Sequence, residues 1–198
     1  MRASTSIITA LTHFTAFGRA IPILSDNPVL LAARGRHCDN APSVVAGAFL
    51  ENSALRSESP KLGPRVQDTS PAVWCGFGSK TYISVDYDSD IHDQSWNMVD
   101  DFLDSIGAVI RNEIRTAGDS LIPGGLITYQ NAGLLLRSQN ANNHQQTWGV
   151  LGSGVSALSD YMIDQKNQGY TPSFVTFLLY DGPNQVANAT FSPRTLYG

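Results

Sequence analysis

Two cysteines, Cys38 and Cys75, are all that the 198 residues contain. An isolated pair in an oxidising compartment is most simply one disulfide, and nothing in Gly35-Arg36-His37-Cys38 or Trp74-Cys75-Gly76 obliges a reactive thiol. Clusters of Lys and Arg are missing too. The chain carries a formal charge of −4, so it has no electrostatic footprint for phosphate backbones, and nucleic acid is not an expected partner. Beyond the first 20 residues no segment approaches the run of about 18 apolar residues that a membrane helix needs. There is no G-x-S-x-G nucleophile elbow, and His37, His92 and His144 lie in no recognisable catalytic motif.

What the chain does have begins at Arg2. One basic residue is followed by an uncharged, largely apolar core of about 12 residues between Ser6 and Gly18, then by Arg19-Ala20, with small side chains near the cut. The core is too short to span a bilayer and too poor in amphipathic order for a helix of a folded domain. Residues 1–20 therefore read as a secretory signal peptide cut after Ala20. The mature chain of about 178 residues suffices for one domain with a sizeable core, and loss of Arg2 and Arg19 takes its charge to −6. The triplet Asn188-Ala189-Thr190 is a glycosylation acceptor pattern that fits the same extracellular setting.

Residues 21–72 are rich in Pro, Ser, Arg and Gly and read as an extended, partly disordered arm tied down by Cys38–Cys75, with a short helix expected between Val44 and Leu55. Closing a loop of just under 40 residues, that bond is worth roughly 4 kcal/mol on a chain-entropy basis.

From residue 73 onward an α+β domain is expected. Gln94-Ser95-Trp96-Asn97-Met98-Val99 returns 52 residues later as Gln146-Thr147-Trp148-Gly149-Val150-Leu151. Behind each tryptophan the apolar positions match at helical spacing, so each set predicts an amphipathic helix capped by Ser95 or Thr147, over about 93–116 and 147–168. Strand-like runs flank both: Thr81 to Val85, Leu126 to Tyr129, Gly133 to Arg137 and Phe174 to Tyr180. The expectation is a mostly antiparallel sheet of about five strands with two amphipathic helices on one face, built as a β-α-β-β duplication. Gly149, Gly152, Ser153 and Ser156 give the second helix a small-residue edge that lets another element approach.

Gly152-Ser153-Gly154-Val155-Ser156-Ala157 matches a dinucleotide fingerprint, but it lies in phase with a helix stripe, so close packing is the better reading and no cofactor is expected. Asp86, Asp88 and Asp90 form the densest set of potential metal ligands, on what reads as a solvated loop before the first helix. An EF-hand starting at Asp86 would need Gly and Glu where Ile91 and Asn97 stand. Glu51, Glu58 and Glu113 offer carboxylates at separations that sequence does not define. Candidate contact residues are Asn143 and His144 in the polar run Asn140 to Gln146, Asp181, Asn184 and Gln185 at a hairpin tip, and Trp74 in a Gly-rich stretch beside Cys75.

Thr147 to Tyr161, the strand after it, Tyr180-Asp181-Gly182 and the last strand resemble a group of small secreted proteins of filamentous ascomycete fungi, treated as candidate virulence effectors. The resemblance covers roughly the C-terminal half and rests on a few aromatic and glycine positions. It implies an apoplastic effector that acts by binding a host extracellular protein, with inhibition of a hydrolase such as a papain-like cysteine protease as the expected mode; a monomer is expected. It carries over no catalytic or inhibitory residue. The alternatives are a small secreted hydrolase using carboxylates near Asp86 to Asp93, with or without a metal, and a carbohydrate-binding module using aromatics near Trp74.

Overall fold

The computed structural model describes residues 36–51, 71–90 and 94–194. The proposed signal peptide lies outside them, as do Glu58, His92 and the side chains of Asp88 and Asp90.

The fold is α+β. Six antiparallel strands form one sheet: β3 (Ala72–Cys75), β4 (Thr81–Asp90), β5 (Leu126–Asn131), β6 (Leu134–Asn140), β7 (Ser173–Asp181) and β8 (Asn184–Pro193), in the order β3-β4-β7-β8-β6-β5. A two-stranded hairpin, β1 (His37–Cys38) and β2 (Ala41–Val45), lies apart from it. Alternation along β7 shows how the sheet divides its faces. Val175, Phe177 and Leu179 are buried in the main core, while Phe174, Thr176 and Leu178 between them point the other way.

The two helices α1 (Trp96–Ala117) and α2 (Trp148–Asn167) follow their sequence signals closely. Ser95 Oγ accepts from Met98 N and Thr147 Oγ1 from Val150 N, so equivalent caps 52 residues apart start both helices with their tryptophans at the first position. Gly118 ends α1 at φ +72°, its N–H bonded to Ile114 O at 2.9 Å. Val99, Phe102, Leu103, Ile106 and Ile110 of α1 and Leu151, Val155, Leu158, Tyr161 and Met162 of α2 pack on the Val175 face. α2 lies against β3, β4 and β7, and α1 reaches β5, where Phe102 packs edge-on to Tyr129 with ring centroids 5.3 Å apart.

The small-residue edge of α2 admits several neighbours at once. A Cβ on Gly152 would lie 3.1 Å from Ile110 of α1, one on Gly154 would meet Leu179 of β7, and Gly76 just past β3 sits against the Ser153 carbonyl. The fingerprint-like glycines thus lie inside a helix whose backbone N–H groups are already committed.

Two sequence expectations are corrected. The first is the helix between Val44 and Leu55, of which residues 52–55 lie outside the described residues: Val44 and Val45 end β2, and a turn follows at Gly47, φ +84°, where a Cβ would collide with the Gly182 carbonyl at 2.9 Å. The second is the loop at Asp86 to Asp90. These residues continue β4 after an irregularity between Val85 and Tyr87, and Asp88 and Asp90 pair with Val175 and Ser173. The mostly antiparallel sheet of about five strands is as expected, its sixth strand being β3. Its four consecutive buried residues show no alternation because both its faces are covered, by α2 on one side and by the hairpin on the other.

The hairpin covers only half of the sheet's second face. Cys38 is bonded to Cys75, with Cα atoms 5.6 Å apart, and joins Ala41, Leu50, Val73, Tyr82 and Tyr180 in a second apolar cluster. Asp39 and Asn40 close the free edge of β3. Asp39 N donates to Val73 O and its carboxylate accepts from Val73 N, while the Asn40 amide exchanges both bonds with Cys75.

Candidate functional site

The end of the sheet that carries the β7–β8 turn also carries the β6–α2 loop, because β6 and β8 pair out to Asn140 opposite Ala187. The loop is pinned at both ends. Ala141 N donates to Val186 O, and the Asn140 side-chain oxygen accepts from Gln146 N at 3.0 Å. Gln146 is fully buried: its Oε1 accepts from Ser138 Oγ at 2.8 Å, and its Nε2 donates to Gly125 O and Ser138 O. What reads in sequence as the last residue of a polar connector is the anchor that holds it.

Between these anchors Asn142 and Asn143 adopt left-handed backbone, φ +53° and +59°, a conformation that Asn tolerates better than most residues. The turn turns Asn142, Asn143, His144 and Gln145 out to solvent. Asn142 Nδ2 donates to Gln185 Oε1 at 3.0 Å, and Gln185 Nε2 donates to Asn188 Oδ1 at 2.7 Å. Asp181 and Asn184, both exposed, close the adjacent turn opposite one another. Five of the six proposed contact residues therefore share one end of the molecule. Gln185 meets the loop through Asn142, which sequence reasoning did not single out.

Trp74 is elsewhere. It is 5% exposed on the helix side of β3, edge-on to Tyr161 with centroids 5.5 Å apart, and its indole nitrogen finds no partner among the described residues. Asp86 is exposed on β4. Among the described residues no three His, Cys, Asp or Glu side chains converge as a metal group would require. His37 is on β1 and His144 in the loop; Glu113 lies on α1.

From the loop end a polar strip runs across the half of the second face that the hairpin leaves uncovered among the described residues. Register places Thr128, Arg137, Thr190 and Thr176 side by side on four strands, with Gln139 and Asn188 in the next row. The strip forms a shallow groove of about 340 Å³. Arg137 donates to Gln139 Oε1 at 3.4 Å and has no carboxylate at ion-pair distance among the described residues; the ion pair found there is Lys166–Asp100, on the helix layer.

No protein-family model matches the chain, and neither a curated protein nor a solved structure matches it. No helix among the described residues is long and apolar enough to cross a membrane.

Proposed function

We propose that this chain is a secreted binding protein that engages an extracellular host protein through the loop end, with a hydrolase such as a papain-like cysteine protease as the target class. The observation that carries the reading is the Asn142–Gln185 hydrogen bond, which ties the β6–α2 loop to the start of β8 and makes one contact surface of two segments distant in sequence. That surface is rich in neutral donors and acceptors, is braced by a buried glutamine, and sits on a disulfide-tied scaffold. The same disulfide fits an oxidising compartment. A sugar-binding role loses its proposed platform, because Trp74 is in the core.

The test is binding and inhibition by the mature, oxidised chain against a panel of purified extracellular hydrolases that includes papain-like enzymes. Replacing Asn142 and Gln185 together by Ala should weaken a genuine complex about tenfold, the worth of roughly 1.4 kcal/mol of contacts. Lys166→Ala, on the helix layer, should leave it unchanged. Equal loss in both variants, or in neither, sinks the assignment of the surface. Retention on cell-wall polysaccharide or metal-dependent melting would favour the sugar-binding and hydrolase alternatives.

A further inference from the structure

We propose that Asn188 carries an N-linked glycan whose first sugars lie in the Arg137 groove and cover the half of the sheet face that no other described residues cover. The proposal rests on the reading that the chain is secreted, and it goes beyond that reading in naming the modified atom and what occupies the groove.

Placement on the strand is the first support. Asn188 and Thr190 of the acceptor triplet are two residues apart on β8, so both project from the same face, the open one. Asn188 is exposed and Thr190 half-buried, so an oligosaccharide on Asn188 leads into solvent without displacing any part of the core.

The folded amide also has room to bear it. Asn188 Oδ1 accepts from Gln185 Nε2, which leaves Nδ2, the atom that is glycosylated, without a partner among the described residues. In the transfer Nδ2 attacks the anomeric carbon of an oligosaccharide linked to a polyprenyl pyrophosphate. The C1–Nδ2 bond forms, the C1–O bond breaks, the pyrophosphate leaves with the electron pair, and Nδ2 gives up one of its two protons to a base. Oδ1 remains an acceptor afterwards, so the bond from Gln185 survives the modification.

Third is the groove itself, which suits a neutral, hydroxyl-rich ligand. Gln139, Thr176 and Thr190 line it with an amide and hydroxyls, and Arg137 adds a guanidinium with no carboxylate partner among the described residues. At about 340 Å³ it is within the range of small-ligand sites. The hairpin covers the β3-β4-β7 half of this face through the Cys38 cluster, and Asn188, on β8, stands at the inner border of the half that the hairpin does not reach.

The experiment expresses the full chain in a eukaryotic secretory host and compares it with Asn188→Gln, Thr190→Val and Thr190→Ser. The product in the medium should lose one glycan on treatment with peptide N-glycosidase. Both Asn188→Gln and the near-isosteric Thr190→Val should abolish the modification, and Thr190→Ser should keep it. Phenylglyoxal should modify Arg137 severalfold more slowly in the glycosylated chain than in Thr190→Val, while Arg115 on α1 reacts equally in both. A secreted product with residues 1–20 removed and no glycan overturns the proposal and leaves the secretion reading standing. A chain retained in the cell with residues 1–20 attached and no glycan overturns both. A glycosylated chain whose Arg137 reacts as fast as in Thr190→Val overturns the covering role.

Discussion

Tyr82 of β4 and Tyr180 of β7 are paired in the ladder and stack face to face, ring centroids 4.6 Å apart and planes 3° from parallel. Both are almost fully buried between the sheet and the hairpin. Burial pushes the Tyr82 phenol well above its ordinary 10.0, and Tyr180 adds to the shift; Tyr180 is raised by burial first and then by the negative charge of Asp86. Because the folded chain holds these protons more tightly than the unfolded chain, their contribution to stability is complete below pH 10 and is lost as pH rises toward the folded values. Ultraviolet titration should show these two phenols ionising only as the fold is lost, and Tyr180→Phe should flatten the alkaline decline. Ionisation of all tyrosines near pH 10 in a chain that stays folded would contradict this.

Asp160 on α2 behaves alike in an accessible range. Burial raises its carboxyl to about 6, and its Oδ2 has no hydrogen-bond partner among the described residues. The protonated form is favoured on folding, so this contribution is complete below pH 4 and fades as pH rises through 6. Asp160→Asn should therefore stabilise the protein at pH 7 on the order of 1–2 kcal/mol, with the solvent reaching the group already discounted, and add little at pH 4. Thermal melts at the two pH values decide it: a gain of the same size at both would remove the titration as its cause.

The disulfide Cys38–Cys75 spans 37 residues, and replacing both cysteines by Ala should cost about 4 kcal/mol. The loss should be local at first. Leu50 and Gly78, bonded to Ser79 O and Leu50 O, should exchange their amide hydrogens faster, while α1 amides stay protected. If hydrogen exchange at Leu50 is unchanged, the Asp39 and Asn40 bonds to β3 hold the hairpin by themselves.

Close approach to α2 can be tested at two glycines. A Cβ on Gly76 would stand 2.7 Å from the Ser153 carbonyl, a backbone atom that can yield only if α2 moves. On Gly154 it would meet Leu179 Cδ1, the far end of a side chain that has other rotamers. Gly76→Ala should destabilise by roughly 1–3 kcal/mol and Gly154→Ala by less, read from denaturant midpoints. The reverse order would mean that Leu179 has no room to turn.

Much of this arrangement was legible from residues 94–168. A serine or threonine cap, a tryptophan and an apolar repeat act within a few residues of one another, so Ser95 and Thr147 start their helices wherever those helices pack. Counting alone paired Cys38 with Cys75. The candidate loop was partly legible: Asn143 and His144 are exposed, while the link through Asn142 to Gln185 spans 43 residues and leaves no local trace.

Caps, helix stripes, turn residues and the cysteine pair were thus determined by the sequence itself, because each is an interaction between near neighbours or a matter of composition. Tertiary structure alone decided the rest. Asp86 to Asp90 became strand because Ser173 to Val175 offered a ladder. Trp74 became core because α2 settled over β3, and Gln146 became buried because Ser138 and Gly125 met its amide. Strand order and register come from pairings between distant segments, whose free energy belongs to the contact and not to either partner's sequence.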